Sequence, residues 1–180
     1  SKLYPPEIYL ELFTPSYLPP WIEENIAGNI PLESALYNIE VKSTLNRREL
    51  KSSVEKAKAV NNLVSLETMG HPIVRPNNAL FAFSSDLSYS GKSDILRYFE
   101  IDPTAKTSPD IRAFCVIGRG YWFHSDNGWI FWKPTNSFTE VAGFIGGILN
   151  TVAIMHYMKP YLPIGTYFLD ENVEKIKVED

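Results

Sequence analysis

Glu40 and Lys42 stand two residues apart in Leu36-Tyr37-Asn38-Ile39-Glu40-Val41-Lys42-Ser43. On a strand, side chains two apart point the same way, so a carboxylate and an ammonium would share one face. That pairing suits chemistry at a phosphodiester. A carboxylate holds a hard divalent cation such as Mg²⁺ through oxygen. The cation polarises a phosphoryl oxygen and lowers the pKa of a bound water. The lysine orients or deprotonates that water, or steadies the developing charge. Such a site calls for a second carboxylate. Glu33 has the nearest plausible sequence position, but seven extended residues span roughly 23 Å. It reaches the metal only if the chain turns sharply after it. Glu7, Glu11, Glu23 and Glu24 are further possibilities.

Glu-x-Lys is a weak signal on its own. With this many glutamates and lysines, chance supplies about one match. The other match, Glu49-Leu50-Lys51, falls on an expected helix, where residues two apart face different ways. The competing reading of Glu40 and Lys42 is a solvated strand face with a cross-strand salt bridge.

The pair needs elements to position it. Tyr37, Ile39 and Val41 alternate, which predicts a strand over 35–43. Asn46 is an expected helix N-cap, with Glu49 at the capping-box position. Leu50, Val54, Ala57, Asn61 and Val64 keep helical spacing, so a helix should run to about residue 64. Residues 79–84 read as a buried strand, 88–93 as a loop, and 95–101 as a helix stopped by Pro103. Residues 111–117 read as a strand. Gly118-Arg119-Gly120 then reads as a bulge, too short for a phosphate loop, before Tyr121-Trp122-Phe123 resumes the strand. Asn127-Gly128 signals a hairpin, with 129–132 returning. A long apolar helix over 138–158 follows, capped by Asn136 or Ser137. Its uncharged run, Val141 to Met155, is too short for a membrane span and reads as a buried helix. Gly143, Gly146 and Gly147 would let it pack closely. Strands interleaved with helices predict an α/β fold, a mixed sheet covered by helices.

The longer segment Leu36 to Leu50 resembles the PD-(D/E)XK nuclease-like superfamily. It looks most like a bacterial domain family of unknown function in which an "IEVKS-x-L-x-x-x-EL" segment recurs. Cys115 to Trp122 also looks like that family, and the resemblance covers roughly residues 30–125. It implies a restriction-endonuclease-like core, a central mixed sheet flanked by helices. It also implies hydrolysis of nucleic-acid phosphodiester bonds with Mg²⁺ or Mn²⁺, and a bacterial, cytoplasmic setting. By position, Glu40 matches the metal-binding acid and Lys42 the catalytic lysine. The family pattern also has an aspartate on the preceding strand, and residues 1–39 contain none. Either that aspartate lies upstream of a chain that is a fragment, or the site is degenerate. A degenerate fold would serve as a nucleic-acid or protein binding module.

Composition sets the outer bounds. The chain has 180 residues, 44% apolar, with net charge −4. That is one domain's worth of ordinary globular sequence, not a disordered tail or a strongly basic binder. Cys115 is the lone cysteine, which excludes disulfides and a cysteine zinc site and points to a reducing compartment. Residues 1–31 carry six prolines and read as an arm, or as the start of a fragment; 170–180 read as a charged tail. Arg47, Arg48 and Lys51 belong to a local basic segment suited to nucleic-acid phosphates, with DNA as the expected partner. The alternative is a solvated helix face with Glu55 paired to nearby basic residues. No membrane is expected as a partner, and a homodimer is one assembly open to the chain. Tyr121, Trp122, Phe123, Trp129, Phe131 and Trp132 crowd the hairpin; covering a sheet face is the commoner use, stacking on bases the rarer. His71, His124 and His156 lack ligand spacing. No nucleophile elbow, P-loop or dinucleotide fingerprint appears.

Overall fold

The computed structural model describes residues 8–13, 34–62, 76–88 and 93–158. Six strands form one mixed sheet in sequence order. They are β1 (Ile8–Phe13), β2 (Ala35–Lys42), β3 (Asn77–Ala82), β4 (Ile111–Val116), β5 (Gly120–Ser125) and β6 (Gly128–Trp132). The centre, β2-β3-β4, is parallel; β1, β5 and β6 add antiparallel edges. Helix α1 (Arg47–Asn61) connects β2 to β3. Helix α2 (Asp94–Ile101) and a 3-10 turn (Pro103–Lys106) connect β3 to β4. Helix α3 (Thr139–Met158) follows β6. Parallel neighbours need such crossovers, so the order of elements dictates a sheet with helices on its faces. The expected α/β architecture is present.

Two cores lie on the two faces. Leu50, Val54 and Ala57 of α1 and Ile95 and Tyr98 of α2 pack on Leu80, Phe114, Val116 and Trp122. On the other face, Phe144 and Ile148 of α3 pack on Tyr37, Ile39, Ala79, Cys115 and Tyr121. Alternation along β2 therefore sends Tyr37, Ile39 and Val41 towards α3 and leaves Asn38, Glu40 and Lys42 on the α1 side. Cys115 is core, as expected, and burial beside Glu140 pushes its thiol up to about 12.

The structure corrects several readings. The proline-dense arm contains a strand, since Ile8–Phe13 pairs antiparallel with β2. Gly118-Arg119-Gly120 is not a bulge within one strand. It belongs to the reversal between β4 and β5, where Gly118 takes φ +70° and Gly120 φ +147°, conformations glycine allows. Over 139–154 the helix is only half buried. Phe144 and Ile148 are covered, while Ile145, Leu149 and Ile154 are exposed. Among the described residues no helix is long and apolar enough to cross a membrane. On the hairpin, Tyr121 and Trp122 are buried, with Trp122 stacked on Phe131 at 5.0 Å between ring centres. The aromatics thus cover the sheet, although Phe131 and Trp132 remain partly exposed.

Candidate active site

The end of β2 is fixed by its neighbours. Phe83 N–H donates to the Lys42 carbonyl at 2.9 Å, and Leu45 N–H to the Ser84 carbonyl at 2.8 Å. Leu45 is fully buried, so the link from β2 to α1 is clamped against the end of β3. Helix α1 then starts at once. Asn46 has extended φ/ψ, and its side-chain oxygen accepts from Glu49 N–H at 2.9 Å. The Glu49 carboxylate reaches away from the cap. It meets Lys42 Nζ at 2.9 Å and Arg48 at 3.0 Å.

Glu40 and Lys42 do share a face. Lys42 Nζ lies 2.8 Å from Glu40 Oε1, and each side chain is only 7% exposed. Lys56 of α1 comes within 3.4 Å of the same Glu40 oxygen. Lys42 therefore bridges two carboxylates, one from the strand and one from the helix. Burial pulls its ammonium down, but its hydrogen bonds to Glu40 and Glu49, and their charges, outweigh that. They hold it above the ordinary lysine value. The hydrogen bond from Lys42, helped by Arg48 and opposed by partial burial, holds Glu49 below the ordinary glutamate value.

The helix residues Glu49 and Lys56 were not part of the sequence-derived site. A signal existed: they are seven apart, with Ser53 between them, on one face of a helix that begins beside Lys42. Of the expected basic residues, Arg47, Arg48 and Lys51 are all exposed on the first turns of α1. Arg47 pairs with Glu100 at 3.3 Å, and Lys51 with Glu55 at 3.9 Å, in part as the solvated-face reading expected. Such surface pairs are worth little, so phosphates could replace them. Glu33 lies outside the described residues, as do Glu7, Glu23 and Glu24. Glu11 sits on β1 in register with Asn38, two pairs along from Tyr9 opposite Glu40.

The donor set suits a hard cation. Glu40 and Glu49 both converge on Lys42 Nζ, and Mg²⁺ is commonly held by one or two carboxylates, completed by waters and substrate phosphates. Among the described residues no cluster of three or more metal-binding side chains exists.

No protein-family model matches the chain, and no curated protein does. Solved structures do. The chain shares the fold of NucC. NucC of E. coli MS115-1 in its cAAA-bound form superposes with a TM-score of 0.65 at 18% identity, covering 88% of this chain and 67% of that one. Its apo form gives 0.64 at 17% identity, covering 88% and 72%. NucC of P. aeruginosa ATCC27853, cAAA-bound, gives 0.64 at 17%, covering 88% and 68%. The mixed sheet flanked by helices matches the restriction-endonuclease-like fold of these neighbours, so the expected core is present here. At this identity the likeness speaks for the fold alone.

Proposed function

We propose that this chain is a metal-dependent nuclease domain that hydrolyses phosphodiester bonds of DNA. The observation that carries the proposal is the buried Glu40–Lys42 pair, 2.8 Å apart, at the end of a central strand in a nuclease fold. Burying a charged pair is costly and seldom needed for stability alone. Buried charges with perturbed pKa values cluster at functional sites.

In this reading Glu40 and Glu49 hold a Mg²⁺ or Mn²⁺ ion. Bound there, the cation supplies Lewis acidity to a phosphoryl oxygen. Lys42, 2.8 Å from Glu40 and 2.9 Å from Glu49, acts as a cation in this reading. Its role is to stabilise the negative charge that develops on the phosphate as water attacks. Arg47, Arg48 and Lys51 line the approach and take the strand's phosphates. Their contribution is sequence-independent and falls with salt.

The test combines Mn²⁺ calorimetry with cleavage of double-stranded DNA, single-stranded DNA and RNA. Wild type should bind Mn²⁺ and cleave; Glu40→Ala should do neither while keeping its fold. Cleavage retained by Glu40→Ala would refute the assignment. Nucleic-acid binding without metal capture or cleavage, lost when Arg47 and Arg48 are neutralised, would establish the binding module instead.

A further inference from the structure

The sheet face opposite Glu40 and Lys42 carries a second feature. Between that face and α3 lies a cavity of about 680 Å³. Small-molecule sites occupy roughly 300–1,000 Å³. Four aromatic residues, Tyr37, Tyr121, Phe123 and Trp132, line it. Arg112 lines it too, and its position is unusual. Ile111 pairs with Asn78 and Ala113 with Ala79, so Arg112 is the extra residue of a β-bulge. Bulges re-aim a side chain, often beside a functional site. Among the described residues Arg112 has no ion-pair partner, and no carboxylate lines the cavity. His124, also on the wall, is held below its ordinary value by burial and by the charge of Arg112. At neutral pH the cavity thus carries the single positive charge of Arg112.

The glycines of α3 shape the opposite wall. A Cβ on Gly147 would lie 2.6 Å from the Tyr121 hydroxyl, and one on Gly143 2.7 Å from the Trp132 ring. These two set how closely helix and sheet approach. A Cβ on Gly146, another lining residue, would meet nothing within 4 Å. There the wall faces open space.

We propose that this cavity binds a nucleoside monophosphate, its base against the aromatic rings and its phosphate on Arg112. Aromatic rings stack on any base because every base has a π-face. A guanidinium matches phosphate oxygens with two parallel N–H donors. The neutral His124 imidazole and the Asn150 amide supply donors and acceptors for a base edge. The site is separate from the proposed nuclease centre, since the sheet lies between them.

The experiment is calorimetric titration of AMP, adenosine and inorganic phosphate, in EDTA, into four proteins: wild type, Arg112→Gln, Gly146→Leu and Glu40→Gln. Wild type should bind AMP at least tenfold more tightly than adenosine or phosphate. Arg112→Gln should erase the advantage over adenosine. Gly146→Leu should abolish AMP binding without lowering the unfolding temperature, because its side chain enters the cavity and not the core. Glu40→Gln should bind AMP as wild type does. No AMP binding at millimolar concentration overturns the proposal. So does equal AMP affinity in Gly146→Leu, phosphate binding as tight as AMP, or loss of AMP binding in Glu40→Gln.

Discussion

Replacing Lys42 with Met removes the ammonium but keeps an apolar stem of similar length, so it isolates the charge. Lys42 Nζ lies 2.8 Å from Glu40 Oε1 and 2.9 Å from Glu49 Oε2. Those two oxygens are therefore less than about 6 Å apart. At an effective dielectric of about 20, two like charges at that distance repel by about 3 kcal/mol. Lys56 at 3.4 Å from Glu40 and Arg48 at 3.0 Å from Glu49 offset part of this, and Glu49 is partly exposed. Glu40 nonetheless loses its closest partner while staying 7% exposed, and breaking such buried pairs costs about 3–5 kcal/mol. We therefore expect a loss of about 3 kcal/mol. Glu40→Gln should cost only about 1 kcal/mol, since the amide oxygen still accepts from Lys42 and Glu49 still balances it. Urea unfolding at neutral pH reads the difference. With a slope of about 2–3 kcal/mol/M, the Lys42→Met midpoint should fall by about 1–1.5 M. The double variant should be more stable than Lys42→Met alone, because the repulsion is gone. A Lys42→Met protein no less stable than Glu40→Gln, or additive losses in the double variant, would refute the reasoning.

The same cluster fixes a pH response. The stability Glu49 contributes is present above the ordinary glutamate value of 4.5 and lost as pH falls through its lowered folded value. That from Lys42 is present below 10.5 and lost as pH rises through its raised folded value, so urea midpoints should fall at both ends, and Lys42→Met should shrink the alkaline fall to the part Lys58 contributes. Gly147→Ala should unfold more easily than Gly146→Ala by about 1–3 kcal/mol in thermal melts, because only the former drives a methyl into Tyr121. Asp94 is buried and accepts from Ser85 at 2.5 Å and from Arg119 of the β4–β5 turn. Asp94→Asn should cost about 3–5 kcal/mol in urea unfolding by removing the buried carboxylate charge that pairs with Arg119.

Local features were legible in the sequence where local physics decides them. Alternation of Tyr37, Ile39 and Val41 marked β2, and Asn46 marked the start of α1 within a residue. Asn127-Gly128 marked the hairpin. Other features depend on which surfaces meet. The Ile8–Phe13 strand was hidden because prolines dominate the segment around it. Helix α3 carries large apolar residues on more than one face, so hydropathy could not say that Phe144 faces the sheet and Leu149 does not. Glu49 and Lys56 enter the site because α1 crosses over the end of β2, a matter of packing that neither residue type announces. The bulge at Arg112 depends on the register of β4 against β3, which local patterning does not encode. Resemblance in the Glu40 segment led to the fold; the contacts of Lys42 came from the structure.

The most direct test of the central claim is cleavage of a labelled DNA duplex by wild type, Glu40→Ala and Lys42→Met, each in Mg²⁺, in Mn²⁺ and in EDTA. Circular dichroism would confirm that each variant is folded. The account predicts metal-dependent cleavage by wild type that both variants lose. Cleavage that persists in EDTA, or that survives Glu40→Ala, would contradict it.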